Sequence, residues 1–189
     1  MVHNSIFVMV DVINDIVHPE GKLSCFSNKS EFSVFLNNMD KVIGKMKEMN
    51  IKIIQSKVQF SDSYIEMPLC SPLLNPIKST GALVRGTWGT KTVDGLNIAD
   101  DVKEFEKNAI DPFSSTLFKE YILSNNIKHI YLTGVSSRWA IESCVRSAHD
   151  LDIMITVISD CCAASSSMEH ENALDNCRML ADVITLQDL

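Results

Sequence analysis

YLTGVSSRWAIESCVRSAHD, residues 131–150, is the stretch whose reading decides the fold. Ile130–Thr133 has the apolar, partly β-branched make-up of a buried strand. Gly134 opens a tight turn, and a helix is expected from roughly Arg138 to Leu151. A helix start presents unpaired N–H donors and the positive end of a dipole. The residue at that head, where a nucleophile is expected, is Ala140.

Working outward, strands alternate with helices. Ser5–Val10 (SIFVMV) suits a strand covered on both faces, and Asp11 stands at its carboxyl end. VINDIVHPEGKL then reads as a loop, punctuated by Pro19 and Gly21. Asn28 with Glu31 has the capping-box spacing, and Phe32, Phe35, Leu36, Met39, Val42, Ile43 and Met46 follow on one helical face. Ile51–Gln55 gives a second strand, so the chain begins as a βαβ unit with a parallel sheet. Residues 56–100 are irregular and are expected to cross the sheet edge as a lid or an oligomer contact. Val102–Lys107 is a short strand. A helix from Ser114 or Ser115 to Ser124 turns Leu117, Tyr121 and Ile122 inward. Ile153–Ile158 continues to Asp160, Glu169–Leu180 is the last helix and Val183–Leu186 closes the sheet. The pattern predicts a three-layer α/β/α sandwich with a mostly parallel, Rossmann-like central sheet, built as a single domain over residues 1–189.

Composition excludes several classes. The formal charge of −7 argues against nucleic-acid partners and anionic membrane surfaces. No apolar run approaches the length of a membrane span. The N-terminus lacks a basic region and Asp11 interrupts its first apolar run, so a secretion signal is not expected and the predicted location is cytoplasmic. Cys25, Cys70, Cys144, Cys161, Cys162 and Cys177 show no CxxC spacing. Most are expected to be small buried hydrophobes, not disulfide partners.

Asp11, Lys107 and the turn from Gly134 to Ala140 would all lie on one edge of a parallel sheet, where ligands of open α/β sheets bind. A carboxylate and an ammonium there suit activation of a thiol, and helix-start N–H groups suit an oxyanion. Arg85 and Trp88, in RGTWGT, are candidates to anchor a substrate carboxylate and to wall a pocket. A solvated arginine and a packed surface tryptophan are the alternatives. Arg138 and Trp139 directly precede residue 140. They are candidate substrate contacts, with an outward arginine and a packed tryptophan as the alternative.

These segments resemble the isochorismatase-like cysteine hydrolases over nearly the whole chain. VMVDVINDIVHPEGKL is similar to the family's opening strand and aspartate loop, and RGTWG to its glycine-rich middle turn. EKNAIDPFSST is similar to its lysine segment, and TGVSSRWAIESCVRSAHDLDIMITVISDCCAAS to its nucleophile turn and following βα unit. The resemblance implies Asp11 as general base and Lys107 as the cation stabilising a thiolate. It puts the nucleophile position at Ala140, the oxyanion donors at the backbone N–H groups of Ser136 and Ala140, and a cis peptide at Val135–Ser136. Ile13 and Ile16 stand where the family commonly has glutamine and phenylalanine, which assigns Ile16 to the substrate wall. The Asp-x-His metal pattern of nicotinamidases has no match in Ser56–Met67, so neither a metal nor nicotinamide is expected, and no cofactor is required. The implied substrate is a small amide or ureido compound and the implied assembly a homo-oligomer, a dimer or larger.

Alanine at residue 140 removes the thioester route. Four readings compete. The favoured one is a cysteine hydrolase changed at residue 140 so that it holds substrate unreacted. The second is an isochorismatase-type vinyl ether hydrolase using Asp11 as acid, although the turn of such enzymes typically carries tyrosine and histidine where this chain has Ser136 and Arg138. The third is a non-catalytic binding protein that kept the pocket. In the fourth, Cys144 substitutes; it lies one helical turn, about 5.4 Å, further along, so it is read as core.

Overall fold

A computed structural model describes residues 4–26, 28–68 and 70–189. In chain order it contains β1 (Ser5–Val10), α1 (Asn14–Val17), α2 (Lys29–Glu48), β2 (Lys52–Val58), α3 (Asn75–Thr80), β3 (Lys103–Lys107), α4 (Thr116–Ser124), β4 (His129–Val135), α5 (Glu142–Asp150), β5 (Met154–Ala163), α6 (Ser167–Arg178) and β6 (Asp182–Ile184). The strands form one six-stranded sheet in the order β3-β2-β1-β4-β5-β6. Every pairing is parallel.

The alternation of β1 explains the layers. Ile6, Val8 and Val10 pack with Phe118 and Ile122 of α4, Cys144 and Val145 of α5, and Leu174 of α6. Phe7 and Met9 point the other way, onto Phe35, Met39, Val42, Ile43 and Met46 of α2. The α2 stripe is therefore core, as its spacing predicted. Asn28 caps this helix, its side-chain oxygen accepting from the Glu31 N–H at 2.8 Å. A third, smaller apolar cluster of Ile13, Val58, Phe60, Tyr64, Leu74 and Leu83 sits beyond the carboxyl ends of β1 and β2.

Several boundaries differ from the sequence expectation. β2 runs on through Ser56, Lys57 and Val58, and β5 through Asp160 to Ala163. Buried Ser56 and Lys57 hide the first extension from an apolar-run reading, and half-buried Ser159 and Asp160 interrupt the second. Lys57, for example, is almost fully buried with its ammonium paired to Glu104. The segment expected to be a loop after Asp11 contains the single turn α1. The inward face of α4 is Phe118 and Ile122, and Leu117 is 70% exposed, so the predicted inward Leu117 is corrected. The irregular stretch 56–100 contains α3, a short 3-10 turn at Trp88–Thr90 and isolated bridges Phe60–Val84 and Ile13–Thr92. Leu69, within that stretch, lies outside the described residues. Among the described residues no helix is long and apolar enough to cross a membrane.

Candidate functional site

The strand order reverses direction between β1 and β4, and such a switch point opens a crevice at the carboxyl edge. Asp11 follows β1 there with φ 54°, a left-handed conformation that aspartate tolerates better than most residues. Its N–H donates to the Ser56 carbonyl at 2.8 Å. Lys107 ends β3 two strands away, and Val135 ends β4. Gly134 allows β4 to pass β1: its φ is 127°, and a Cβ there would lie 2.0 Å from the Val10 carbonyl oxygen. The Val135–Ser136 peptide is cis, as the resemblance implied. The predicted helix start at Arg138 proves to be a π-type turn over Ser137–Ile141 that leads into α5. Ser137 fixes this turn, its hydroxyl donating to the Ala163 carbonyl at 3.0 Å and lying 2.7 Å from His170 Nδ1.

Asp11 and Lys107 meet in the interior. Lys107 Nζ donates to Asp11 Oδ2 at 2.7 Å and to the Ala109 carbonyl at 3.0 Å. Asp11 Oδ1 accepts from the Val58 N–H at 2.6 Å. Burial pushes the Asp11 carboxyl above its usual pKa range, against the pull of Lys107 and of the Val58 hydrogen bond. A carboxylate displaced toward neutrality is suited to taking and returning a proton.

Both residues line a cavity of about 280 Å³. Ser136 and Ala140 line it too, as do Ile16 and Trp139. One wall comes from Leu23, Ser24 and Cys25 in the loop after Asp11, and another from Leu73, Leu74 and Ile77 around α3. Larger surface depressions occur elsewhere, but they contain neither Asp11 nor residue 140. Those depressions hold the Lys57–Glu104 pair, of which Glu104 is exposed, whereas the pair in this cavity has both partners buried and faces the turn at residue 140.

Three of the candidate substrate contacts lie away from it. Arg85 pairs with Glu106 and Glu66 at the surface. Trp88 is edge-on to His18, with its indole N–H donating to Asp94 Oδ2 at 2.8 Å. Arg138 is bonded to Glu169 and lies over the Trp139 ring. None of the three is among the cavity's lining residues, because each has an acidic partner outside it. Cys144 is fully buried beneath the turn, in the core.

Sequence reading missed the residues that hold the cavity's upper wall. Asp15 is buried and accepts from the Leu83 N–H at 2.7 Å, and Gly89 packs where a Cβ would strike its carboxylate. Asn14 accepts from the Asp94 N–H at 2.8 Å and donates to the Trp88 carbonyl at 3.0 Å. Together they pin residues 83–94 onto α1. Nothing in the local sequence distinguishes these two from ordinary loop residues. Among the described residues no three His, Cys, Asp or Glu side chains gather as metal ligands would.

The fold and this crevice define a parallel α/β protein with a cavity and a buried Asp–Lys pair at its switch point. A family model of the isochorismatase domain matches residues 5–188, and the chain belongs to that family. An Arabidopsis thaliana protein described as a "probable inactive nicotinamidase" is 25% identical over 176 residues, 91% of this chain and 87% of that protein. The solved isochorismatase family protein of Desulfovibrio vulgaris superposes with a TM-score of 0.85 at 17% identity, covering 97% of this chain and 95% of that one. N-carbamoylsarcosine amidase of Thermoplasma acidophilum does so with a TM-score of 0.78 at 18% identity, covering 98% of each chain. At these identities the structural likeness speaks for the fold.

Proposed function

We propose that the chain is a cysteine-hydrolase site for a small amide or ureido compound, in a form that lacks its nucleophile. One observation carries this reading: Ala140 lines the same small cavity as the buried Asp11–Lys107 pair. A buried ion pair gives little net stability, so its place beside a ligand-sized cavity suggests a chemical use. With a thiol at residue 140, Asp11 takes its proton while Lys107 stabilises the thiolate. The thiolate adds to the substrate carbonyl carbon, and the Ser136 and Ala140 N–H groups receive the oxyanion. Asp11 returns the proton to the departing nitrogen, leaving a thioester. Water, deprotonated by Asp11, then releases the acid. Without the thiol, the same pocket binds such a compound and leaves its C–N bond intact.

The test is ammonia release from a panel of primary amides and ureido acids by the Ala140→Cys protein and by the chain as it stands. Turnover by the variant alone is expected. No turnover of any panel member by the variant refutes the reading. Hydrolysis of a vinyl ether by the unaltered chain selects the isochorismatase-type alternative. The likeness to a plant protein described as inactive favours a second reading, a binding protein without catalysis. Ligand binding by both forms, with turnover by neither, selects it.

A further inference from the structure

The cavity lining offers no free cation among the described residues. Lys107 is the sole cationic residue among its described lining residues, and its charge is matched by Asp11 at 2.7 Å. Arg138 lies over Trp139, which lines the cavity, but is not itself a lining residue. Its guanidinium is bonded to Glu169, and the other Glu169 oxygen accepts from Ser165, itself a lining residue. Most of the rest of the wall is apolar, chiefly Leu23, Leu74 and Ile77, with Ser24, Ser136 and Ser165 as its neutral polar residues. A carboxylate entering this space would lose water without gaining a free cation, at a cost far above that of a methyl group. The volume of about 280 Å³ lies at the low end of small-molecule pockets, so the ligand is small.

We propose that the cavity selects uncharged primary amides with a short apolar tail. In this account Glu169 keeps anionic amides out, by holding Arg138 away from the mouth. The proposal rests on the amide reading above and narrows it: an anionic ureido acid is a poor ligand and an aliphatic amide a good one. The tail lies against the α3 wall, with the carbonyl toward Ser136 and Ala140.

The test uses the unaltered protein and calorimetric titration with two amides of nearly equal length, hexanamide and glutaramate. Hexanamide is expected to bind at least tenfold more tightly. In the Glu169→Gln protein the released Arg138 is expected to lower that ratio at least threefold, and adding Arg138→Gln is expected to restore it. Arg138 is exposed and Glu169 half-buried at the surface, so the variants should fold, which circular dichroism checks. Equal affinities for the two amides in the unaltered protein overturn the selectivity while leaving the amide reading in place. A ratio unchanged by Glu169→Gln overturns the role of Glu169. Failure of every amide, neutral or anionic, to bind overturns the amide reading and this proposal with it.

Discussion

Replacing Asp11 by asparagine leaves the Lys107 ammonium buried among neutral acceptors, the Ala109 carbonyl and the new amide oxygen, with no counter-charge. At 2.7 Å and an effective dielectric of about 20, the lost attraction is roughly 6 kcal/mol. Desolvating the two ions consumes a comparable amount, so the intact pair is worth little net, whereas one charge left alone costs about 3–5 kcal/mol. Asp11→Asn should therefore lose about 3–5 kcal/mol in urea unfolding, a large part of the ~5–15 kcal/mol typical of a folded domain. Lys107→Met should lose a similar amount at pH 8. The double replacement should recover most of it, because no unpaired charge remains, and the cycle should return a coupling of about 3 kcal/mol or more. The pH dependence follows from the sign of the Asp11 shift. Its folded pKa is already raised by burial, and removing Lys107 raises it further. A group with a raised folded pKa contributes stability below its unfolded value, about 3.9, and loses it as pH rises through the folded value. The Lys107→Met penalty should accordingly shrink toward pH 5 and grow toward pH 8. Additive single losses of less than about 1 kcal/mol each would refute a buried, mutually dependent pair.

Three further predictions concern the frame around the site. Phe118→Ala should lose about 3–5 kcal/mol in urea unfolding, and Leu117→Ala less than about 0.5, because only Phe118 is buried; the reverse ranking would contradict the observed face of α4. Gly134→Ala should cost roughly 3 kcal/mol or more, through left-handed strain and the clash with Val10, as read from its unfolding midpoint. Burial lowers the His170 pKa, so its contribution to stability is present above about pH 6.5 and is lost as pH falls through the lowered folded value; His170→Gln should flatten that acid limb of the stability–pH curve.

The layers were legible because the strands of a parallel sheet are apolar on both faces. Ser5–Val10 and the α2 stripe needed only periodicity to be read. Asp11, Lys107 and residue 140 were legible as strand-end and helix-start residues, and the fold brings them to one cavity. The misplaced candidates share a physical cause. Arg85, Trp88 and Arg138 are chemically suited to a ligand, but Glu106 and Glu169, the acidic partners of the two arginines, are distant in sequence, and Asp94, the partner of Trp88, lies in the same irregular stretch where no periodicity predicts the contact. The α3 wall was obscure for another reason. Leu74 and Ile77 have no periodic context in a proline-rich stretch, and their inward placement depends on tertiary bonds such as that from Lys22 to the Gly81 carbonyl.

The central claim is that residue 140 occupies a position built to activate a thiol. Its most direct test is the pH dependence of iodoacetamide labelling at that position in the Ala140→Cys protein, followed by mass spectrometry of the peptide spanning residues 139–146. The account predicts labelling at neutral pH with a midpoint well below the ~8.5 of an ordinary cysteine, displaced upward when Lys107 is also replaced by methionine. A midpoint at or above ~8.5, unmoved by that second replacement, would contradict it.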